Sequence, residues 1–96
     1  MDQAAFLADK RTQQAVILNL VIIGEAATQL LQHYSGFLQR YPDVPWRNMK
    51  GMRNRIAHGY FEINLDVVWE TVQTALPDVL ARLPSIRLEA TIWPKP

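Results

Sequence analysis

The sequence contains no cysteine, which excludes disulfide bridges and thiolate metal sites. Long apolar runs are also missing. The N-terminal residues 1–6 lack the basic region and the apolar core of a signal peptide. The most apolar stretch, residues 15–27, contains Asn19 and Glu25 and is too short to span a bilayer. We therefore expect a cytoplasmic protein that does not enter a membrane.

Length and net charge are both small. The 96 residues carry a formal net charge of +1, which by itself predicts no particular partner. A chain of this length forms one domain and buries only about two-thirds of the surface that its unfolded state exposes. We expect one small hydrophobic core, to which a partner subunit could add stability.

Acidic residues are absent from one segment, residues 44–61. Four of the ten basic residues fall in this segment, namely Arg47, Lys50, Arg53 and Arg55. Such a local cationic patch can attract a polyanion even when the whole chain is nearly neutral. A solvated helix face would explain the charge equally well. His58 and Tyr60, which follow within the same segment, favour a functional site over that simpler explanation.

The segment combines groups that could cleave a phosphodiester. Arginine offers a permanent cation and a planar fork of donors suited to phosphate oxygens. Histidine can give and take protons near neutral pH. The two histidines of the chain are distant in sequence and its carboxylates are scattered, so we expect neither a metal nor another cofactor. The leading hypothesis is a metal-independent site that cleaves nucleic acid.

Hydrophobic periodicity predicts an all-α protein. Apolar residues recur at spacings of three and four in segments that begin near Thr12, Trp46 and Asn64. A proline-rich connector separates the first two predicted helices, Gly59 follows the second, and Pro77 interrupts the third. This order predicts a small antiparallel helical bundle.

The pattern changes after Pro84. Apolar and polar residues alternate from Ile86 to Trp93, which is typical of a strand. Because one strand is not stable by itself, we interpret residues 85–96 either as a loosely attached tail or as an arm that packs on a second subunit. The predicted domain therefore covers residues 1–84.

Several blocks of the sequence resemble the HepT group of HEPN-domain proteins, over about residues 6–83. The matching blocks, in order, are Ile22-Ile23-Gly24-Glu25-Ala26-Ala27, Tyr41-Pro42-x-x-Pro45-Trp46, Gly51-Met52-Arg53-Asn54, His58-Gly59-Tyr60-Phe61 and Leu65-Asp66-x-Val68-Trp69. The resemblance implies a HEPN-like bundle. Family members begin with another long amphipathic helix, which this sequence lacks, so one side of its core is expected to be open.

The resemblance also implies a function. It points to a homodimeric, metal-independent RNase toxin of a type VII toxin–antitoxin system. The partner would be a minimal nucleotidyltransferase antitoxin that neutralises the toxin by adding AMP to the motif tyrosine, here Tyr60. The alternative is a non-catalytic subunit that retains the HEPN fold to bind a nucleotide or a nucleotidyltransferase.

Each residue of the motif has an expected role in RNA cleavage. His58 would transfer protons, and Arg53 would clamp the phosphate oxygens on which negative charge grows. Asn54 and Arg55 would position the substrate. Glu25 either pairs with a motif arginine or reaches solvent, and the sequence leaves both alternatives open.

One geometric condition follows from the spacing of the motif. Residues five apart on a helix project about 140° apart, so Arg53 and His58 do not share a face unless the helix ends or distorts near residues 57–59. A twofold dimer could also satisfy the condition, because it brings two copies of the motif together.

Overall fold

The computed structural model describes residues 1–93 and contains helices, without a strand in that range. This confirms the prediction of an all-α, HEPN-like bundle. A 3-10 turn (Tyr60–Glu62) precedes α5, and a π turn (Thr71–Ala75) joins α5 to α6. The six α-helices are α1 (Gln3–Leu7), α2 (Lys10–His33), α3 (Ser35–Leu38), α4 (Trp46–His58), α5 (Leu65–Glu70) and α6 (Leu76–Ala90).

Helix α2 is the longest element and packs mainly on α4. The Asp9 carboxylate accepts a hydrogen bond from the Thr12 amide at 3.1 Å, which makes Asp9 the N-cap and places Thr12 in the first turn. The N-cap therefore lies three residues before Thr12, near which the sequence predicts the start of this helix. The helix buries Ile17, Leu20 and Ala27 on the side that faces the core.

Helix α4 begins and ends where the sequence predicts. Its N-terminus is fixed by the Trp46 indole, whose Nε1 donates a hydrogen bond to the Tyr41 carbonyl at 3.1 Å. Gly24 of α2 permits a very close approach, because an added Cβ at Gly24 would lie 2.4 Å from the Arg53 Cβ. The packing of α2 on α4 thereby determines where the motif arginine lies.

The third predicted helix continues through Pro77, so the interruption predicted there was wrong. Asn64 caps α5 by accepting from the amides of Asp66 and Val67. The chain then widens into the π turn before Pro77 enters the first turn of α6. Proline lacks an amide hydrogen and its ring clashes with the carbonyl four residues earlier. A π turn shifts the hydrogen-bond register at this point, so the helix absorbs the proline without ending.

The strand predicted after Pro84 was also wrong, because α6 runs across residue 84 to Ala90. Ile86 is buried, whereas Leu88 and Ile92 are 73% and 56% exposed. The alternating pattern therefore does not separate a buried face from an exposed one. Trp93 packs edge-on against Phe37 at a centroid distance of 5.6 Å, so residues up to 93 of the predicted tail contact the rest of the protein. The remaining residues of that tail, 94–96, lie outside the described range.

Helix α2 is long and apolar enough to cross a membrane, with 24 residues and an 18-residue stretch whose mean hydropathy is 1.5. The expectation that this region is too short for a span was wrong. Length and composition are weak evidence, however, because core helices of globular proteins meet the same test. One side of α2 packs in the core, and the other side carries exposed polar residues such as Arg11, Asn19 and Glu25. A lipid-facing helix is apolar all round.

Two groups of buried side chains form the core. One lies beneath α1, α2, α4 and α5 and contains Phe6, Ile17, Leu20, Ile56 and Val68. The other joins α6 to the segment between α3 and α4 and contains Phe37, Leu38, Tyr41, Val44, Trp46, Val79 and Ile86. The molecule is elongated, at 52 × 27 × 19 Å, so the outer surfaces of α2 and α4 remain accessible.

Candidate functional site on α4

The candidate site is built on the outer surface of α4, a helix without an acidic residue. The sequence turns its apolar residues inward, so Trp46 and Ile56 are buried while Met49 and Met52 are half-buried. The cationic side chains consequently face outward. Arg47, Lys50, Arg55 and His58 are exposed, and Arg53 and Asn54 are half-buried.

Arg53 lies against α2 and is held from two sides. Its Nε is 3.4 Å from the Glu25 Oε2, and its Nη2 donates a hydrogen bond to the Thr28 hydroxyl at 3.2 Å. The Nε has no partner in hydrogen-bond geometry, so the contact with Glu25 is an ion pair only. Glu25 is half-exposed and therefore both pairs with Arg53 and reaches solvent. These contacts restrict the guanidinium while leaving a quarter of the side chain accessible.

Thr28 and Gly24 are site residues that sequence reasoning missed. The Thr28 hydroxyl donates to the Gly24 carbonyl at 2.8 Å and accepts from Arg53, so it links α2 to the motif. Gly24 provides the space in which the stem of Arg53 lies. A signal was present in the sequence, because a glycine and a threonine four residues apart on one helix share a face.

His58 is the last residue of α4 and lies at the rim of an open depression of about 390 Å³. Gly59 follows with a φ of −146° and a ψ of 47°, so its backbone is not left-handed. Arg55, Glu62 and Asn64 contribute the other polar groups of the depression, while Met52, Ile56, Ile63, Val67 and Val68 contribute apolar ones. An exposed imidazole beside an arginine and an asparagine is accessible to a polar substrate.

Arg53 and His58 do not converge within one chain. Helix α4 stays helical through His58, so the end or distortion that would bring them to one face does not occur before the histidine. Arg53 contacts α2, whereas His58 faces the depression toward α5. The two side chains therefore point to different sides of α4, about 140° apart in projection. A site that uses both needs a second copy of the motif or a substrate that bends around the helix.

Tyr60 lies on the 3-10 turn directly after α4 and is 46% exposed. Its ring packs edge-on against Phe61 at 5.5 Å, and Phe61 itself is 99% exposed. The two aromatic rings thus project from the same end of the helix as His58.

In residues 1–93, no group of three or more His, Cys, Asp or Glu side chains is arranged to hold a metal ion. The nearby carboxylates are Glu25, which pairs with Arg53, and Glu62, which lines the depression. The groups available for chemistry on this surface are therefore guanidinium, imidazole, carboxamide and phenol groups.

Comparison with known proteins gives consistent matches. The sequence model of the family described as "Ribonuclease HepT-like" matches residues 1–86. A provisionally named RNase of Methanocaldococcus jannaschii is 40% identical over 81 residues, which are 84% of this chain and 64% of that relative. A protein of Thermococcus cleftensis named "Probable ribonuclease HepT" is 39% identical over 82 residues, which are 85% of this chain and 72% of the relative. The chain thus spans less than two-thirds of the first of these relatives, and no solved structure matches significantly.

Proposed function

The chain belongs to the HepT-like ribonuclease family, and from that membership and the surface of α4 we propose that it is an endoribonuclease toxin. The observation that carries the proposal is the solvent-exposed His58 at the end of a cationic helix that contains no acid. RNA supplies its own nucleophile, the 2′-hydroxyl, so the protein needs only to move protons and to stabilise charge. We assign these tasks to α4 and locate the protein in the cytoplasm.

The proposed chemistry begins with the transfer of the 2′-hydroxyl proton to an imidazole. The 2′-oxygen attacks the adjacent phosphorus, and the bond to the 5′-oxygen breaks as that oxygen receives a proton. The products are a 2′,3′-cyclic phosphate and a 5′-hydroxyl end. His58 is the proton-transfer group, which typically contributes about 10²–10⁴ in rate. Arg53 stabilises the charge on the phosphorane oxygens, and Asn54 and Arg55 position the RNA.

A homodimer would bring together Arg53 and His58, which point to different sides of α4 within one chain. We propose that two copies meet through the outer face of α2, where Leu18 and Ile22 are 60% and 56% exposed. Glu25 lies on the same helix face one turn after Ile22 and contacts Arg53. A twofold contact there would bring Arg53 of one chain toward His58 of the partner subunit. Each of the two equivalent sites would then contain one Arg53 and one His58, and that imidazole would accept the 2′-hydroxyl proton and later give a proton to the leaving 5′-oxygen.

We further propose that Tyr60 is the point of control by a nucleotidyltransferase antitoxin. The phenol oxygen would attack the α-phosphate of ATP, forming a phosphodiester with AMP while pyrophosphate leaves and the phenol proton passes to the antitoxin. Exposure of Tyr60 and Phe61 supports access by such an enzyme. Tyr60 is two residues after His58 and five after Arg55. A phosphate attached to Tyr60 would compete with the phosphate of RNA for these two side chains.

One observation favours a second candidate function. Arg53 and His58 are separated within the chain, and Arg53 is paired with Glu25. Both features are expected of a protein that does not use these side chains for catalysis. Such a protein would use the HEPN fold to bind a nucleotide or a nucleotidyltransferase. It would bind its partner without cleaving RNA.

The test is RNA cleavage by the purified protein with and without EDTA. We expect cleavage that EDTA does not reduce, products that end in a 2′,3′-cyclic phosphate, and a loss of roughly 10²-fold or more in rate for His58→Ala. His33→Ala is the matched control, because His33 is an exposed histidine at the end of α2. Cleavage that persists in His58→Ala or that requires magnesium contradicts the proposal, and complete absence of cleavage favours the non-catalytic alternative.

A further inference from the structure

Gly51 occupies the interior of α4, and no contact within residues 1–93 explains a glycine there. Glycine disfavours a helix interior because it loses more backbone freedom on folding than other residues do. At Gly24 the close contact with Arg53 explains the glycine, but a Cβ added at Gly51 would meet no atom of residues 1–93 within 4 Å. The side chain is thus absent from a position where the fold has room for one. An open position of this kind suits the close approach of another molecule.

The surroundings of Gly51 indicate the chemistry of that molecule. Arg47, Gly51, Asn54 and His58 follow one another at spacings of four, three and four residues, so they form one line along the outer face of α4. Lys50 and Arg55 flank this line. Of these six positions, the four that carry a basic or imidazole group are exposed. The outer face of α4 therefore carries a row of cationic side chains that is interrupted at Gly51, and we call the open space at Gly51 the gap.

We propose that the gap at Gly51 receives the phosphodiester backbone of single-stranded RNA, which then leads along α4 to His58. The proposal rests on the ribonuclease function proposed above and deepens it by making Gly51 a positioning residue. From Gly51 to His58 the helix rises about 10 Å, a distance that a short run of nucleotides spans. Arg47 and Lys50 would bind phosphates on one side of the gap and Arg55 on the other.

A second copy of this protein is the competing occupant of the gap. Glycines also allow two helices to approach closely, and α4 could in principle cross its twofold-related counterpart at Gly51. That crossing would bring Arg47, Lys50 and Arg55 of both chains together without an acidic residue on either helix to compensate them. Like charges facing each other across an interface are unfavourable, so the charge favours a polyanion.

The experiment measures RNA binding in the full chain carrying His58→Ala, so that cleavage does not interfere. Fluorescence anisotropy of a labelled single-stranded oligoribonucleotide gives the dissociation constant at several salt concentrations. We expect it to rise about threefold for Gly51→Ala and about tenfold or more for Gly51→Leu, because the added side chain occupies space that the RNA backbone would fill. Gly36→Ala is the matched control, because Gly36 lies in α3 and a Cβ there makes only ordinary contact, 3.8 Å from Trp93.

Salt dependence separates a steric effect from a change of charge. Arg47→Ala removes one phosphate contact and should reduce the slope of log K against log salt by about 0.7. Gly51→Ala removes no charge and should leave that slope near the parent value. Thermal melting checks the fold, and Gly51→Ala should melt at or above the parent temperature because alanine favours the helix.

The outcomes distinguish this inference from the proposed function. Unchanged RNA affinity in both Gly51 variants overturns the role of Gly51 while leaving the ribonuclease proposal intact. A shift from dimer to monomer in Gly51→Ala, measured by analytical ultracentrifugation, also overturns it and assigns the gap to a second copy. Failure of the wild-type chain to cleave RNA, in contrast, contradicts the proposed function itself.

Discussion

At the residue scale, the side chains of the motif differ in how firmly their neighbours hold them. Arg53 is restrained by Glu25 and Thr28 on α2, whereas His58 is exposed and makes no hydrogen bond in the structure that fixes its ring. This contrast suits their proposed roles. A group that stabilises charge benefits from being held in place before the reaction, and a group that transfers protons needs access to the substrate.

The sequence predicted the chemical types in this site but not their mutual placement. Arg53 and His58 are candidates from residue type and from the family resemblance, Tyr60 is a candidate from the resemblance, and Glu25 was identified as a pairing candidate. The contribution of Thr28 depends on how α2 packs against α4, which a single sequence does not specify. The same limit applies to Gly24, whose role becomes visible only when the distance to the Arg53 stem is known.

A test of regulation at this scale is Tyr60→Phe. The substitution removes the hydroxyl that would accept AMP but keeps the ring that packs on Phe61. We expect the variant to fold and to cleave RNA while escaping neutralisation by a co-expressed nucleotidyltransferase. Intact-mass measurement should show one added AMP on the wild-type chain and none on Tyr60→Phe.

Tyr34→Phe is the control for that measurement, because Tyr34 is also exposed but lies at the far end of α2. It should accept AMP at Tyr60 as the wild type does. Equal labelling of wild type and Tyr60→Phe would show that another residue is modified, and the proposed handle would then be wrong.

At the scale of elements, the contact between α2 and α4 determines the position of the motif. A Cβ at Gly24 would lie 2.6 Å from the Met49 carbonyl as well as 2.4 Å from the Arg53 Cβ. Neither atom is the end of a flexible side chain, so the helices would have to separate. Helix α4 would then carry Arg53 away from Thr28.

We predict that Gly24→Ala lowers the free energy of unfolding by about 1–3 kcal/mol, the usual cost of overpacking a core contact. Gly51→Ala is the matched comparison in the partner helix and should raise that free energy by up to about 1 kcal/mol, because its Cβ meets open space. Urea denaturation followed by circular dichroism measures both values. Equal changes in the free energy of unfolding for the two substitutions would contradict the conclusion that α2 and α4 approach each other closely at Gly24.

Sequence periodicity predicted the central helices well and the C-terminal part poorly. Helix α4 and the cap at Asn64 follow from local signals, namely an apolar stripe, a proline before the helix and a side-chain oxygen at its start. The course of α6 does not follow from such signals. The π turn accommodates Pro77, and burial of Ile86 beside the connector keeps the segment helical where alternation suggested a strand.

Two ion pairs and a hydrogen bond add to the attachment of α6. The Arg82 guanidinium pairs with Asp43, and the Tyr41 hydroxyl donates to Glu89, which also pairs with Arg40. The hydrogen bond from Arg82 holds the pKa of the Asp43 carboxyl below its ordinary value of 3.8. The hydrogen bond to Glu89 raises the pKa of the Tyr41 phenol. These contacts join residues far apart in sequence, and for that reason periodicity did not reveal them.

At the scale of the whole molecule, the outer face of α2 is the clearest surface for a second copy. Leu18 and Ile22 are exposed on a helix whose opposite side forms the core, and Arg53 is linked to this helix through Glu25. Single exposed apolar residues are common on protein surfaces. Two of them on one face, adjacent to Arg53, to which we assign a catalytic role, are the basis for proposing the dimer there.

The central claim is that Arg53 and His58 act together across two chains, and mixing two inactive variants tests it directly. Arg53→Ala and His58→Ala should each be inactive alone. When they are unfolded and refolded together in equal amounts, about half of the dimers should be mixed, and each mixed dimer should contain one intact pair of Arg53 and His58. We predict recovery of about a quarter of the wild-type cleavage rate, and no cleavage by a chain that carries both substitutions and is unfolded and refolded alone. Failure of the mixed sample to cleave RNA, although mass spectrometry shows that mixed dimers are present, would contradict the account.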